Sequence, residues 1–278
     1  MFPNWLRILL STLTVVSFFP QLHCIWTRKD ASGISLTYLL LNLIAATERF
    51  GLAFGYVVLL KDADAFTHKP LSSGDWLNLV QTTLFMLLFI LYFSLGLWFP
   101  SDSDQVHKQL LLKIYIAFLL LAILPLFLCA IVQHLDDDKS SWKELPVVLT
   151  MFPHTQFLTY LSTIMAIAAI YPQARMILDH SSLNPSLSVL GLAIQALVFT
   201  ALAISWFSRV AFSLPPEDFP HWWGYWALRV WFEWVGWAVV DNGVFAIGQG
   251  ILFVLAVRRR WGGAGVLGTE GERDPLLG

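Results

Sequence analysis

The chain has little charge and almost no cysteine. Only 13% of its 278 residues are Asp, Glu, Lys or Arg, against about 25% in an ordinary soluble domain. The two cysteines, Cys24 and Cys129, both fall in apolar runs, which excludes a disulfide framework and any zinc-type ligand spacing. A net charge of −2 leaves no basic surface for nucleic acid. HExxH, GxSxG, Walker and zinc-cluster patterns are all missing, so the familiar hydrolytic and nucleotide-driven chemistries have no anchor and no cofactor or metal is expected. The opening run from Trp5 to Phe19 has the outline of a secretory leader. No small-x-small cleavage site follows it, and it belongs to the first helix instead.

What fills the chain is apolar sequence, 57% of the residues. A bilayer core takes about 20 such residues per helix. Seven spans are expected: 4–26, 34–60, 76–99, 110–133, 146–172, 186–208 and 236–257. Charges and turn formers collect between them, as in Arg28-Lys29-Asp30-Ala31-Ser32-Gly33 and Leu214-Pro215-Pro216-Glu217-Asp218. Arg258-Arg259-Arg260 directly follows the last span and Arg28-Lys29 the first. The positive-inside rule then favours a lumenal N-terminus and a cytosolic C-terminus. Trp223, Trp226, Val230, Trp234 and Trp237 recur at helical spacing before the last span. Tryptophan favours the membrane boundary, so an interfacial helix is expected there, with an aromatic lid as the sharper alternative.

One motif occurs twice. Phe19-Pro20-Gln21 and Tyr171-Pro172-Gln173 each close an apolar run and precede a polar link, a serine and a new span. Proline removes a backbone donor and kinks or ends a helix, so Pro20, Gln21, Pro172 and Gln173 are candidate hinges. A repeated helix-breaker at matching depth points to a transporter built by duplication. Four crossings separate the two pairs, which makes the halves parallel. After the first pair comes Gly33-Ile34-Ser35-Leu36; the corresponding stretch after the second is expected to be Asn184-Pro185-Ser186-Leu187.

In this pattern the chain resembles the PQ-loop repeat family, which includes lysosomal and vacuolar cystine and cationic amino-acid exporters and is related to the SWEET sugar transporters. The resemblance covers about Trp5 to Arg260. It implies an all-α membrane protein with seven helices arranged 3+1+3. The first repeat is residues 1–99, the linker helix 100–133, the second repeat with its Trp-rich interfacial segment 134–257, and a cytosolic tail 258–278. It also implies a midplane substrate site, and often proton coupling. In the proton-coupled cystine exporters a carboxylate follows the second Pro-Gln, seven residues past the serine. Counted from Ser186 that position is Ala193, and from Ser35 it is Asn42. The carboxylate is missing, with Gln195 the nearest polar group. SWEET-like transporters hold substrate with one Asn from each third helix, a role that falls to Asn78 and, more comfortably, to Asn242.

Charge inside a span costs about 2.5–3.5 kcal/mol on insertion scales, so the intramembrane ions are functional candidates. Glu48 and Arg49 lie mid-span and, as i,i+1 neighbours, reach to different helices. Asp241 is the candidate partner of Arg49, either as a static pair or as a coupling site. Asn242 and Gln249 continue the same helix. His154 beside Pro153 is expected to satisfy a carbonyl that the proline frees, with titration as the alternative. The tail, Glu272-Arg273-Asp274-Pro275-Leu276-Leu277, has the acidic dileucine spacing of vesicle-sorting signals, with Glu272, Leu276 and Leu277 as the contact residues for sorting adaptors. The expectation is a vacuolar or lysosomal transporter of a small polar solute, an amino acid first among them, working in a lipid bilayer with protons as co-substrate. A solute-sensing receptor or scaffold is the alternative, and an integral membrane cyclase a distant third.

Overall fold

A computed structural model describes residues 2–60, 67–68, 70–135, 144–179, 186–209 and 223–270, and the described residues are helical with no strand among them. The helices are α1 (Asn4–Arg28), α2 (Leu36–Phe54), α3 (Ser73–Trp98), α4 (Gln105–Phe118), α5 (Leu124–Leu135), α6 (Glu144–Pro153), α7 (Thr159–Asp179), α8 (Val189–Arg209), α9 (Trp223–Trp231) and α10 (Trp237–Glu270). Short polar residues start several of them. Ser35 accepts from the Tyr38 amide, Asp104 from the His107 amide, and Ser72 forms a capping box with Asp75. Gly33, at φ 81°, turns the chain into α2 in a conformation that favours glycine.

Among the described residues four π-helical turns interrupt the rods: Gly55–Leu59 after α2, Leu119–Ile123 between α4 and α5, His154–Leu158 between α6 and α7, and Phe232–Gly236 between α9 and α10. A π turn widens the helix by one residue and frees a carbonyl, and such turns cluster at functional sites. Here the freed groups find local partners: the Thr159 hydroxyl donates to the carbonyl of His154 at 2.6 Å.

Among the described residues, six helices are long and apolar enough to cross a membrane: Asn4–Arg28, Ser73–Trp98, Gln105–Leu135, Leu145–Asp179, Val189–Arg209 and Trp237–Trp261. The chain is an integral multi-pass membrane protein. The expected second span, α2 with its π turn, is not among the six. Asn42, Thr47, Glu48 and Arg49 dilute its apolar content. Yet it is the most enclosed element, with 16 of its 19 residues buried. Its polar groups are hidden by neighbouring helices and never meet lipid.

The helix contacts make a ring. α3 packs on both α1 and α2, and α10 packs on both α7 and α8. Two seams join these halves, α1 against α8 and α2 against α7. The order round the ring is α1, α3, α2, α7, α10, α8. The α4–α5 rod stands outside it, against α2 and α6. Polarity is reversed relative to a soluble protein. Leu121, Leu197, Ile204, Phe207, Ile164 and Ile247 are exposed on the outer faces, while Arg49, Glu48, Asp241, Gln173 and Gln249 are buried within. Lipid is the solvent that makes this arrangement stable, because it rewards apolar surface and penalises unpaired polar groups.

Two sequence expectations are corrected. Pro20 and Pro172 lie inside α1 and α7, which continue to Arg28 and Asp179, so the Pro-Gln pairs do not end their helices. The last helix runs on past Val257 to Glu270, so helix includes the start of the expected tail. Trp237 is buried inside the bundle, where it lines the space beside Trp206. The side chains of Trp223, Trp226 and Trp234, the Leu214–Asp218 link and the dileucine residues Glu272, Leu276 and Leu277 lie outside the described residues.

Candidate functional site

The Pro-Gln glutamines make two equivalent clasps across the ring seams. The Gln21 amide nitrogen donates to the carbonyl of Ser186 at 2.6 Å, and its oxygen accepts from the Ser188 amide at 2.7 Å. The Gln173 amide nitrogen donates to the carbonyl of Gly33 at 2.9 Å, and its oxygen accepts from the Ser35 amide at 2.8 Å. Each glutamine thus grips residues i and i+2 of the link that opens the other half's second helix. Ser35 and Ser188 then take the same capping role, Ser188 accepting from the Gly191 amide at 3.1 Å.

This geometry corrects the repeat register. Ser188, not Ser186, corresponds to Ser35, and Ser186-Leu187-Ser188-Val189 matches Gly33-Ile34-Ser35-Leu36. Seven residues past Ser188 stands Gln195, opposite Asn42 in the repeat, so Ala193 drops out. Both positions are polar amides. Asn42 donates to the Tyr38 carbonyl in its own helix, and Gln195 lines a cavity.

Among the described residues two small cavities lie inside the ring, with phenylalanines between them. The first, about 20 Å³, is lined by Thr14, Arg49, Gln81, Thr82, Phe85, Phe199, Leu202, Trp206, Trp237, Ala238 and Asn242. The second, about 10 Å³, is lined by Gln21, Tyr38, Tyr92, Gln173, Leu187, Gly191, Leu192, Gln195, Gln249 and Leu252. On four of the five helices that touch both, a phenylalanine stands between; α2, which offers Arg49 to the first and Tyr38 to the second, has none. Phe18 separates Thr14 from Gln21 on α1, Phe89 separates Thr82 from Tyr92 on α3, Phe199 separates Leu202 from Gln195 on α8, and Phe245 separates Asn242 from Gln249 on α10. These rings and Phe85 form one cluster, with centroids from 4.5 Å (Phe199–Phe245) to 6.5 Å (Phe18–Phe245) apart. Edge-to-face pairs of this kind contribute about 0.5–1.5 kcal/mol each.

An ionic core flanks the first cavity. The Arg49 Nε lies 3.1 Å from Asp241 Oδ2, and its Nη2 donates to the Asp241 carbonyl at 3.0 Å. The Thr163 hydroxyl donates to Asp241 Oδ1 at 2.5 Å. Arg49 Nη1 has no acceptor, and Arg49 lines the cavity. Glu48 turns the other way, its Oε1 lying 2.7 Å from His154 Nδ1. His154 Nε2 meets the Ala122 carbonyl at 3.1 Å, in the π turn of the outer rod. That partner corrects the expectation of a proline-freed carbonyl in its own helix. A carbonyl only accepts, so Nε2 carries a hydrogen. The Nδ1–Oε1 contact then requires a second one, on the imidazole or on the carboxyl. Glu48 and His154 share a proton inside the membrane.

The two Asn candidates part ways. Asn242 lines the first cavity and donates to the Ala238 carbonyl. Asn78 is fully buried above it, its oxygen accepting from Arg7 at 2.7 Å and Arg209 at 3.3 Å, so it anchors arginines. Gln249 donates to the Tyr38 hydroxyl at 2.7 Å beside the second cavity. Sequence reasoning missed Arg7, Arg209, Tyr38 and the phenylalanine cluster. The arginines sit at span ends, where cations are ordinary, and a phenylalanine among dozens of apolar residues carries no local signal.

The Arg49–Asp241 pair yields a thermodynamic cycle. Asp241→Asn leaves a buried guanidinium without its counter-ion, and unfolding of the purified protein is expected to show a loss of about 3–5 kcal/mol. Adding Arg49→Gln should restore most of it. Additive losses in the double variant would show that the two side chains do not act as a pair.

The family model described as PQ loop repeat matches residues 2–56, the stretch that holds α1, Pro20-Gln21 and α2. No curated protein and no solved structure gives a significant match. Together with the second Pro-Gln pair and its equivalent clasp, the match supports assigning the chain to the PQ-loop membrane family.

Proposed function

We propose that this chain is a seven-crossing transporter of a small polar solute, an amino acid first among them, working by alternating access. The seven crossings would be α1, α2 and α3, the α4–α5 linker, and α6–α7, α8 and α10. The observation that carries the reading is the pair of small cavities inside the ring, each edged by a few polar side chains, with a phenylalanine cluster between them. A cavity needs about 10–15 Å³ to hold one water. Neither space takes a solute as it stands, so transport requires the halves to swing apart on one side of the cluster, then on the other. The seams α1–α8 and α2–α7 are where they would part, and the Pro20 and Pro172 helices border both. Arg49 Nη1, Gln81 and Asn242 would hold solute on the first side, Gln195 and Gln249 on the second.

Radiolabelled amino-acid flux into proteoliposomes tests this directly. Gln195→Leu, which removes the amide and keeps the volume, should cut flux about tenfold or more, since it strips a buried polar contact. Solute binding without flux in the wild-type protein would replace the transporter by a solute-sensing receptor.

Proton coupling fits the Glu48–His154 dyad better than Asp241, whose two carboxylate oxygens are already held by Arg49 and Thr163. His154→Gln keeps a hydrogen-bonding side chain and cannot titrate. It should abolish flux driven by a pH gradient and leave solute exchange at equal pH. Gradient-driven flux at the wild-type rate would remove the dyad from the mechanism.

Residence in a vacuolar or lysosomal membrane rests on the acidic dileucine spacing of Glu272, Leu276 and Leu277 and on the family resemblance, and the lumenal N-terminus and cytosolic C-terminus on the Arg258 to Arg260 cluster under the positive-inside rule. Protease added to intact vesicles should remove a C-terminal tag. Protection of the tag would reverse the orientation.

A further inference from the structure

Arg7 on α1 and Arg209 at the end of α8 are both 2% exposed, and they lie side by side. They share one acceptor, Asn78 Oδ1, and Arg7 Nη2 reaches the Arg209 carbonyl at 3.5 Å. Arg7 also donates to the Gly74 carbonyl at 2.8 Å, an approach that needs glycine, because a Cβ there would fall 2.9 Å from the guanidinium carbon. Arg209 donates to Gln81, and its guanidinium lies over the Trp206 ring at 4.8 Å. Three of their nitrogens, Arg7 Nε and Arg209 Nε and Nη2, are buried without an acceptor.

Two adjacent buried guanidiniums repel each other and are costly unless an anion joins them. Among the described residues no carboxylate forms an ion pair with either. Asp75, whose charge is felt at Arg7, spends its oxygens on Ser72 and His68 at the start of α3. Asp241 is held by Arg49 and Thr163, and Glu48 by His154. The pair also leads inward. Gln81 and Trp206, the contacts of Arg209, line the first cavity, and the next cation on that path is Arg49 with its open Nη1.

We propose that Arg7 and Arg209 form a binding site for a small carboxylate, the first station on the route to the Arg49 cavity. A planar carboxylate matches the guanidinium fork and takes parallel N–H bonds. The Arg7–Arg209 pair followed by Arg49, with Asp75, Asp241 and Glu48 among the described residues already engaged, selects an anionic group over a neutral or cationic one. The substrate-class half of this inference rests on the transport reading; the site itself does not.

Thermal unfolding of the full-length purified protein tests the site without any flux measurement. Acetate is titrated at constant ionic strength, with acetamide as the neutral isostere and phosphate as the inorganic oxyanion. A ligand bound to the native state raises the melting temperature in a saturable way. Acetate is expected to do so and acetamide is not. Arg209→Gln should weaken the acetate response about tenfold or more by removing one fork. If that variant does not fold, Arg209→Lys retains the charge without the fork and should weaken it as well. No saturable acetate shift, an equal shift in the variant, or a shift with phosphate alone would each overturn the proposal. Acetate binding with no solute flux would leave the site standing and remove the transport reading.

Discussion

The two glutamine clasps fix how the halves of this protein meet. In a bilayer no hydrophobic force drives one apolar helix onto another, so packing and interhelical hydrogen bonds must hold a bundle together. Gln21 and Gln173 each supply a donor and an acceptor to backbone groups at the mouth of an opposing helix, groups that water cannot serve there. Both side chains grip the same two positions of equivalent links, one at each seam of the ring. α3 and α10 wedge between the first two helices of their halves, and the phenylalanines meet where four of the helices converge.

Against that symmetric frame the ionic groups are placed unequally. α2 carries Glu48 and Arg49, and the corresponding stretch of α8 carries none. The arginine pair sits at one end of the ring, and the glutamines and tyrosines crowd the other. One cavity is therefore cationic and the other amide-lined. The π turns lie close to the ionic groups: His154 opens one, and Ala122, whose carbonyl it meets, lies in another. A widened turn exposes a carbonyl that an ordinary α-helix would use internally, which gives a buried imidazole a partner.

Much of the architecture was legible in the sequence, since it depends on run length and on a motif that occurs twice. Six of the expected spans correspond to helices long enough to cross a membrane. α2 escapes that measure because its middle is built for a protein interior, and burial by neighbours leaves no local mark. The Pro-Gln pairs pointed to the right residues with the wrong geometry. Proline was read as a terminus, but a helix continues past it once a neighbouring helix satisfies the strain. The repeat register slipped by two residues because Ser186 and Ser188 both look like caps, and only the clasp decides between them. The Arg49–Asp241 contact followed from the cost of charge in lipid. The Arg7–Arg209 contact had no such signal, because nothing in a sequence brings the two ends of separate helices together.

Glu48 and Arg49 are joined by a single peptide bond, yet they grip different machines. One holds an imidazole anchored to the outer rod, and the other an aspartate on the far half of the ring. A rigid rotation of α2 about its axis carries both side chains through the same angle. α2 is therefore placed like a crankshaft: any rotation that disturbs the Glu48–His154 contact also moves the guanidinium that lines the cavity. No relay of intermediate residues separates the two contacts, because they are one peptide bond apart.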